Sequence, residues 1–233
     1  MKKLILFFLI GFLLVQSCGS PPNPIYVKKI DGFAKQKSNE EYYMTGDFTN
    51  PPKYEIGQWV MFLSEDIDGN REINKTALVG KEDSIWVIET YRLTPYEEEI
   101  IQFGVMDIDK VHESGDLDDF DILWVRERDS EGKLDTVVGT RLMLSIGGFR
   151  DQLHLWKIRY GVNNTGGPIE VIGGKFGQSS KVAGRIEILG VLDDIYYYYH
   201  NKVQINGIIK AEADDGRRWM QLVAQGTDAK REL

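Results

Sequence analysis

Between residues 203 and 212 apolar and polar side chains alternate. Val203, Ile205, Gly207, Ile209 and Ala211 fall on one side, and Gln204, Asn206, Lys210 and Glu212 on the other. A period of two belongs to a strand with one buried face, and no helix can satisfy it. Asp214-Asp215-Gly216 then supplies hairpin-turn residues, and 218–224 returns as a second strand. The same grammar recurs along the chain. It commits the protein to a mainly β fold whose strands pair with their neighbours in sequence.

Residues 58–64 read as a strand, with Trp59, Met61 and Leu63 on one face and Val60 and Phe62 on the other. Asp68-Gly69 turns it, 72–79 returns, and 85–91 is a third strand. Residues 97–105 leave helix and strand open, because a Glu triplet precedes Ile100, Ile101 and Phe103. Strands follow at 121–126 and 134–138, the latter entered through Ser130-Glu131-Gly132. Residues 142–146 are apolar, and 152–160 fits a strand or one amphipathic turn. Residues 181–189 read as a strand, Asp193-Asp194 as a turn, and the tyrosine run from Tyr196 to Tyr199 as an edge strand. Many short strands joined by Asp/Gly turns predict an antiparallel meander. The expected class is mainly β, a curved antiparallel sheet or unclosed β-barrel with a few short helices.

The first residues carry a different message. Lys2 and Lys3 precede an uncharged apolar run, which ends in Leu14-Val15-Gln16-Ser17-Cys18-Gly19. A basic start, a short apolar core and a small residue before the cut make a secretory signal. The run is shorter than the roughly 20 apolar residues a membrane span needs. Cys18 is the single cysteine, which as a free thiol would be unusual in a secreted chain. The segment resembles a bacterial lipoprotein signal with a lipobox. That resemblance implies a signal peptide over 1–17 and a lipid, palmitate among its acyl chains, on Cys18. It places the protein in the bacterial cell envelope, at the outer membrane, on its periplasmic or surface face.

The expected organisation then has four parts. Residues 18–54 form a lipid-anchored arm, because three prolines lie among residues 21–24 and the stretch beyond is polar, with one short helix near 38–42. Residues 55–226 form the β domain, and 227–233 a flexible tail that frays. The whole chain holds 28 Lys and Arg against 36 Asp and Glu, a formal charge of −8, and losing Lys2 and Lys3 takes this to −10. No basic block interrupts that acidity, so nucleic acid is not an expected partner. Membrane attachment falls to acyl chains.

Chemical motifs are weak. Asp66, Asp68 and Asn70 alternate as calcium-loop ligands do, but Arg71 stands where the EF-hand loop needs glycine and Ala77 where it needs glutamate. A hairpin turn explains them. Asp107, Asp109, Glu113, Asp116, Asp118, Asp119 and Asp121 make an acidic loop with nothing to fix a cation's ligand geometry. His112, His154 and His200 have no zinc spacing, and no Gly-x-Ser-x-Gly occurs. The expectation is a non-enzymatic protein without cofactor or metal.

Two sets of residues resemble a known family. One is Gly57-Gln58-Trp59-Val60, with Val79-Gly80-Lys81-Glu82 and Trp86-Val87-Ile88-Glu89. The other is Gly173-Gly174-Lys175-Phe176, with residues 201–210 and Leu222-Val223-Ala224-Gln225-Gly226. Together they are similar to uncharacterised bacterial envelope proteins distantly like the LolA and LolB lipoprotein carriers. The resemblance implies an unclosed antiparallel β-barrel holding an apolar ligand or acyl chain. Trp59, Trp86 and Ile209 are the candidate liners. The alternative is a surface-exposed lipoprotein with a solid interior that binds a protein partner through its outer face and tyrosine strand.

Overall fold

The computed structural model describes residues 21–42, 53–108, 110, 119, 121–128, 132–151, 153, 166–188 and 191–233. Among the described residues two helices, α1 (Pro24–Ala34) and α2 (Gly139–Asp151), accompany thirteen strands. These are β1 (Glu41–Tyr42), β2 (Trp59–Glu65), β3 (Arg71–Glu82), β4 (Ile85–Leu93), β5 (Glu98–Met106), β6 (Asp121–Arg128) and β7 (Leu134–Val137). After α2 come β8 (Ile169–Val171), β9 (Gly174–Phe176), β10 (Ser180–Ile188), β11 (Val191–Tyr199), β12 (Ile208–Ala213) and β13 (Trp219–Gly226). Ten strands form one antiparallel sheet in the order β10-β11-β12-β13-β2-β3-β4-β5-β6-β7, which does not close into a barrel. The mainly β architecture expected from the alternation is the one observed. Residues 97–105, open between helix and strand, belong to β5.

Strand register divides this sheet into two faces. On the inner face Leu78, Ile88, Phe103, Val125 and Val137 stand opposite one another across β3 to β7, and none is more than 3% exposed. Val60, Phe62 and Leu222 continue this core. On the outer face Leu63, Ile73, Leu93 and Val223 pack beneath Ile30 of α1. Gly104 lies opposite Trp124, and a Cβ there would come within 2.1 Å of the indole, so only glycine admits the ring.

The arm differs from its expected form. Asn23 caps α1, its side-chain oxygen accepting from the Ile25 N–H, and Pro24 occupies the first turn, where a missing N–H costs nothing. A proline cluster that reads as a spacer is thus in part a helix start. The short helix expected near 38–42 is absent: β1 is there instead, pairing in parallel with β9. Residues 43–52 lie outside the described residues.

The apolar residues 142–146 belong to α2. Three other local expectations are corrected. Asp193 and Asp194 do not turn the chain but pair with Ile186 and Arg185 inside β11. The tyrosine strand is not the sheet edge, because β10 lies outside it. The alternation over 203–212 is strand only from Ile208 on. Ile205 and Gly207 have φ of 61° and 70°, and the Asn206 side chain accepts from the Ile208 N–H, so 201–207 is a buried turn.

The tail, expected to fray, lies along the outer face. The Ala229 N–H donates to the Gly57 carbonyl. Arg231 pairs with Glu82 and Lys75 with Glu232. Glu89, 4% exposed, accepts from the backbone N–H groups of Glu232 and Leu233 and from the Gln102 amide. A buried carboxylate needs such donors, and the tail supplies two of them.

Candidate ligand cavity

A second row of register partners crosses the inner face nearer its other edge. Tyr197, Ala211, Met220, Ser64 and Glu72 stand opposite one another across β11, β12, β13, β2 and β3. Where the first row is uniformly bulky, this one places a small side chain at Ala211 and another at Ser64. The next pair along the strands, Ile195 and Ala213, adds another small residue. Gly184 lets the Tyr197 ring lie back, since a Cβ there would stand 2.8 Å from it. The missing side-chain volume becomes a cavity of about 490 Å³. That is within the roughly 300–1,000 Å³ usual for small-molecule sites.

Its floor is apolar: Ile195, Tyr197, Ala211, Ala213 and Met220, while Trp219 borders it from the outer face, where it packs against the Leu63 cluster. Opposite stands the β4–β5 turn, Thr94-Pro95-Tyr96-Glu97. β11 and β4 are five strand positions apart, about 24 Å in a flat sheet. A cavity of this size bounded by both sits in a face that curves.

The rim is charged and internally paired. Arg92 donates to Glu72 at 3.2 Å and to Glu97 at 3.0 Å, and Glu72 also accepts from the Asn74 amide at 2.8 Å. Arg71 donates to Glu65 at 2.7 Å. Asp66 accepts from the N–H groups of Asp68 and Asn70 and from the Asn70 amide, and this holds its carboxyl below the usual range although burial acts the other way. The alternating Asp66-x-Asp68-x-Asn70 pattern is therefore a hairpin turn in which the Asp66 acceptors are used. Among the described residues no group of three His, Cys, Asp or Glu side chains gathers to hold a metal. The acidic loop falls largely outside those residues, as do His112 and His154.

None of the candidate liners reaches this cavity. Trp59 is on the outer face, its indole N–H donating to Asp228 at 2.8 Å. Trp86 lies edge-on to Tyr54, ring centroids 6.2 Å apart, with the Lys81 ammonium 4.4 Å above it. Ile209 is fully buried in the core. The three do not converge. Cys18 lies outside the described residues. His200 is fully buried, accepts from the Lys202 N–H and lies 5.2 Å from the Phe176 ring, a packing role.

The real liners follow from register, which strand-by-strand reading does not supply. One signal was present. Ala211 and Ala213 alternate on one side and flank the Asp214-Asp215-Gly216 turn, so Met220 had to face Ala211. Small residues stacked on a core face mark missing volume.

The stretches around Gly173, Gln204 and Leu222 meet. The Gly173 N–H donates to the Leu222 carbonyl, where a Cβ would stand 3.1 Å from Leu222 and Val223. The Gln225 side chain accepts from the Gln204 N–H and donates to the Tyr42 hydroxyl. This junction fastens the β8–β9 hairpin to β13, and it explains the glycines by close backbone approach. No helix among the described residues is long and apolar enough to cross a membrane. Compared with protein-family models, curated proteins and solved structures, the chain matches none of them.

Proposed function

We propose that this is a non-enzymatic, lipid-anchored protein of the bacterial envelope that holds an acyl chain or similarly apolar ligand in the cavity between β11 and the β4–β5 turn. The observation that carries the reading is the apolar floor left by Ala211, Ala213 and Ser64 beneath a rim on which Arg71 and Arg92 are paired with Glu65, Glu72 and Glu97. A ligand gains there by burying apolar area, about 0.8 kcal/mol for each methylene removed from water. It finds no free cationic cluster on Arg71 or Arg92, each already in contact with carboxylate. The lipobox-like signal supports the envelope location, and Cys18 supplies the attachment point. The proposed outer-membrane placement rests on that signal.

Titration with a long-chain fatty acid tests the reading. Tyr96 and Tyr197 line the cavity and Trp219 borders it, so intrinsic fluorescence should change saturably. Ala213→Phe, which fills the floor, should abolish the change and leave the unfolding midpoint nearly unaltered. Equal binding by the two proteins would move the ligand elsewhere, and no binding by the parent would remove the reading.

A further inference from the structure

Three large apolar side chains are exposed around the mouth of this cavity: Ile25 at 73%, Tyr96 at 55% and Ile67 at 51%. Ile67 sits at the β2–β3 hairpin tip, between the mouth residues Asp66 and Asn70. Tyr96 is itself a mouth residue, in the β4–β5 turn. Ile25 opens α1, and the Asn23 N–H just before it donates to the Pro95 carbonyl at 2.7 Å, which fastens the helix start to the same turn. The three belong to separate elements that converge on one end of the sheet. Isolated exposed apolar residues are ordinary, but here they ring an opening.

The chain leading to Cys18 starts from that opening. Cys18 is five Cα–Cα steps before Asn23, and fully extended these span at most about 18 Å. A lipid on Cys18 therefore holds the mouth close to the bilayer, while the β3–β4 turn at Asp83 and Ser84 is at the opposite end of β3.

We infer that the mouth lies against the membrane, with Ile25, Ile67 and Tyr96 seated in the interfacial layer, so that an acyl chain passes from bilayer to cavity without crossing water. The inference rests on the acyl-chain reading above. Tyrosine and isoleucine suit this layer, where a side chain meets both headgroups and the first methylenes. Asp66 and Asp68 beside them oppose anionic headgroups, so the matching surface is zwitterionic.

The test uses the full chain with Cys18→Ser, held on phosphatidylcholine vesicles by an N-terminal histidine tag and nickel-chelating lipid. Acylation is then not in question. An environment-sensitive fluorophore is placed on Asp68→Cys, beside Ile67, or on Ser84→Cys at the far end. Emission from position 68 should shift to the blue and be quenched several-fold more by doxyl-labelled lipid than emission from position 84. Replacing the exposed Ile67 and Tyr96 together, by Asp and Ser, should erase the difference while circular dichroism stays unchanged. Equal quenching at both ends, or none at position 68, would overturn the inference. Fatty-acid titration of the same labelled chains without vesicles separates the two ideas. Saturable binding without bilayer contact refutes only the orientation. Bilayer contact without fatty-acid binding upholds the orientation and removes the acyl-chain role of the cavity.

Discussion

Two rows of side chains cross the inner face of this sheet, and they do opposite things. Leu78, Ile88, Phe103, Val125 and Val137 fill their space completely. Tyr197, Ala211, Met220, Ser64 and Glu72 leave a cavity of about 490 Å³. Backbone geometry is common to both, since each row spans five antiparallel strands at the same spacing. The difference lies in side-chain volume, on a face that curves around the hollow row. The filled row carries the fold's stability, and the hollow row gives up packing for room.

Truncation in the filled row should break the comparison most visibly. Phe103→Ala removes a fully buried ring and should cost about 3–5 kcal/mol. Met220→Ala should cost about 2 kcal/mol or less, because Met220 already borders empty space. Urea unfolding of the two variants checks it. Similar losses would mean that the rows are equally packed.

Backbone conformation gives the next effect. Gly207→Val forces a β-branched residue to φ near 70° and should destabilise by about 1–3 kcal/mol. Gln204→Thr should change little, since the bond at that position is donated by its backbone N–H to Gln225. Thermal melts of both variants decide this. Enlargement in the hollow row comes third. Ala213→Leu grows into the cavity and should stay within about 1 kcal/mol of the parent, whereas Gly104→Ala meets Trp124 and should cost more.

The smallest effect is a pH response on the outer face. Lys29 and then Tyr91 hydrogen-bond Glu98 and hold its carboxyl below the usual range. A carboxyl lowered by folding stabilises the native state at pH above its unfolded value, about 4.3. That contribution fades as pH falls through the lower folded value. Amide protection in α1, taken relative to the intrinsic exchange rate at each pH, should therefore fall in acid, and Glu98→Gln should show lowered protection already at neutral pH. Protection independent of pH in the parent would mean that the pair does not hold α1.

The sequence revealed the hairpins and hid the cavity, for physical reasons. Gly69 and Gly216 have φ of 80° and 71° in the turns where Asp68-Gly69 and Asp214-Asp215-Gly216 placed them. Such turns are local, so a short window contains their cause. The faces of β2 were equally legible, because alternation needs only one strand. Residues 203–207 misled because Val203 and Ile205 are buried as in a strand, while Ile205 takes a left-handed conformation that few β-branched residues adopt. The start of α1 was hidden by prolines that also suit extended chain. The cavity depends on which residues stand opposite one another across five strands, and on a curvature that no single strand encodes. Trp59 and Trp86 lie away from the hollow, which is left by the small side chains of Ala211 and Ala213.

The central claim is that the hollow row, and not the filled one, receives an acyl chain. Methyl NMR of the full chain titrated with stearic acid carrying a nitroxide near its terminal methyl tests it most directly. The account expects saturable line broadening of the Ile195, Ala211, Ala213 and Met220 methyls, with those of Leu78, Ile88, Val125 and Val137 unchanged. Broadening of the filled row, or none in the hollow row at saturating ligand, would contradict it.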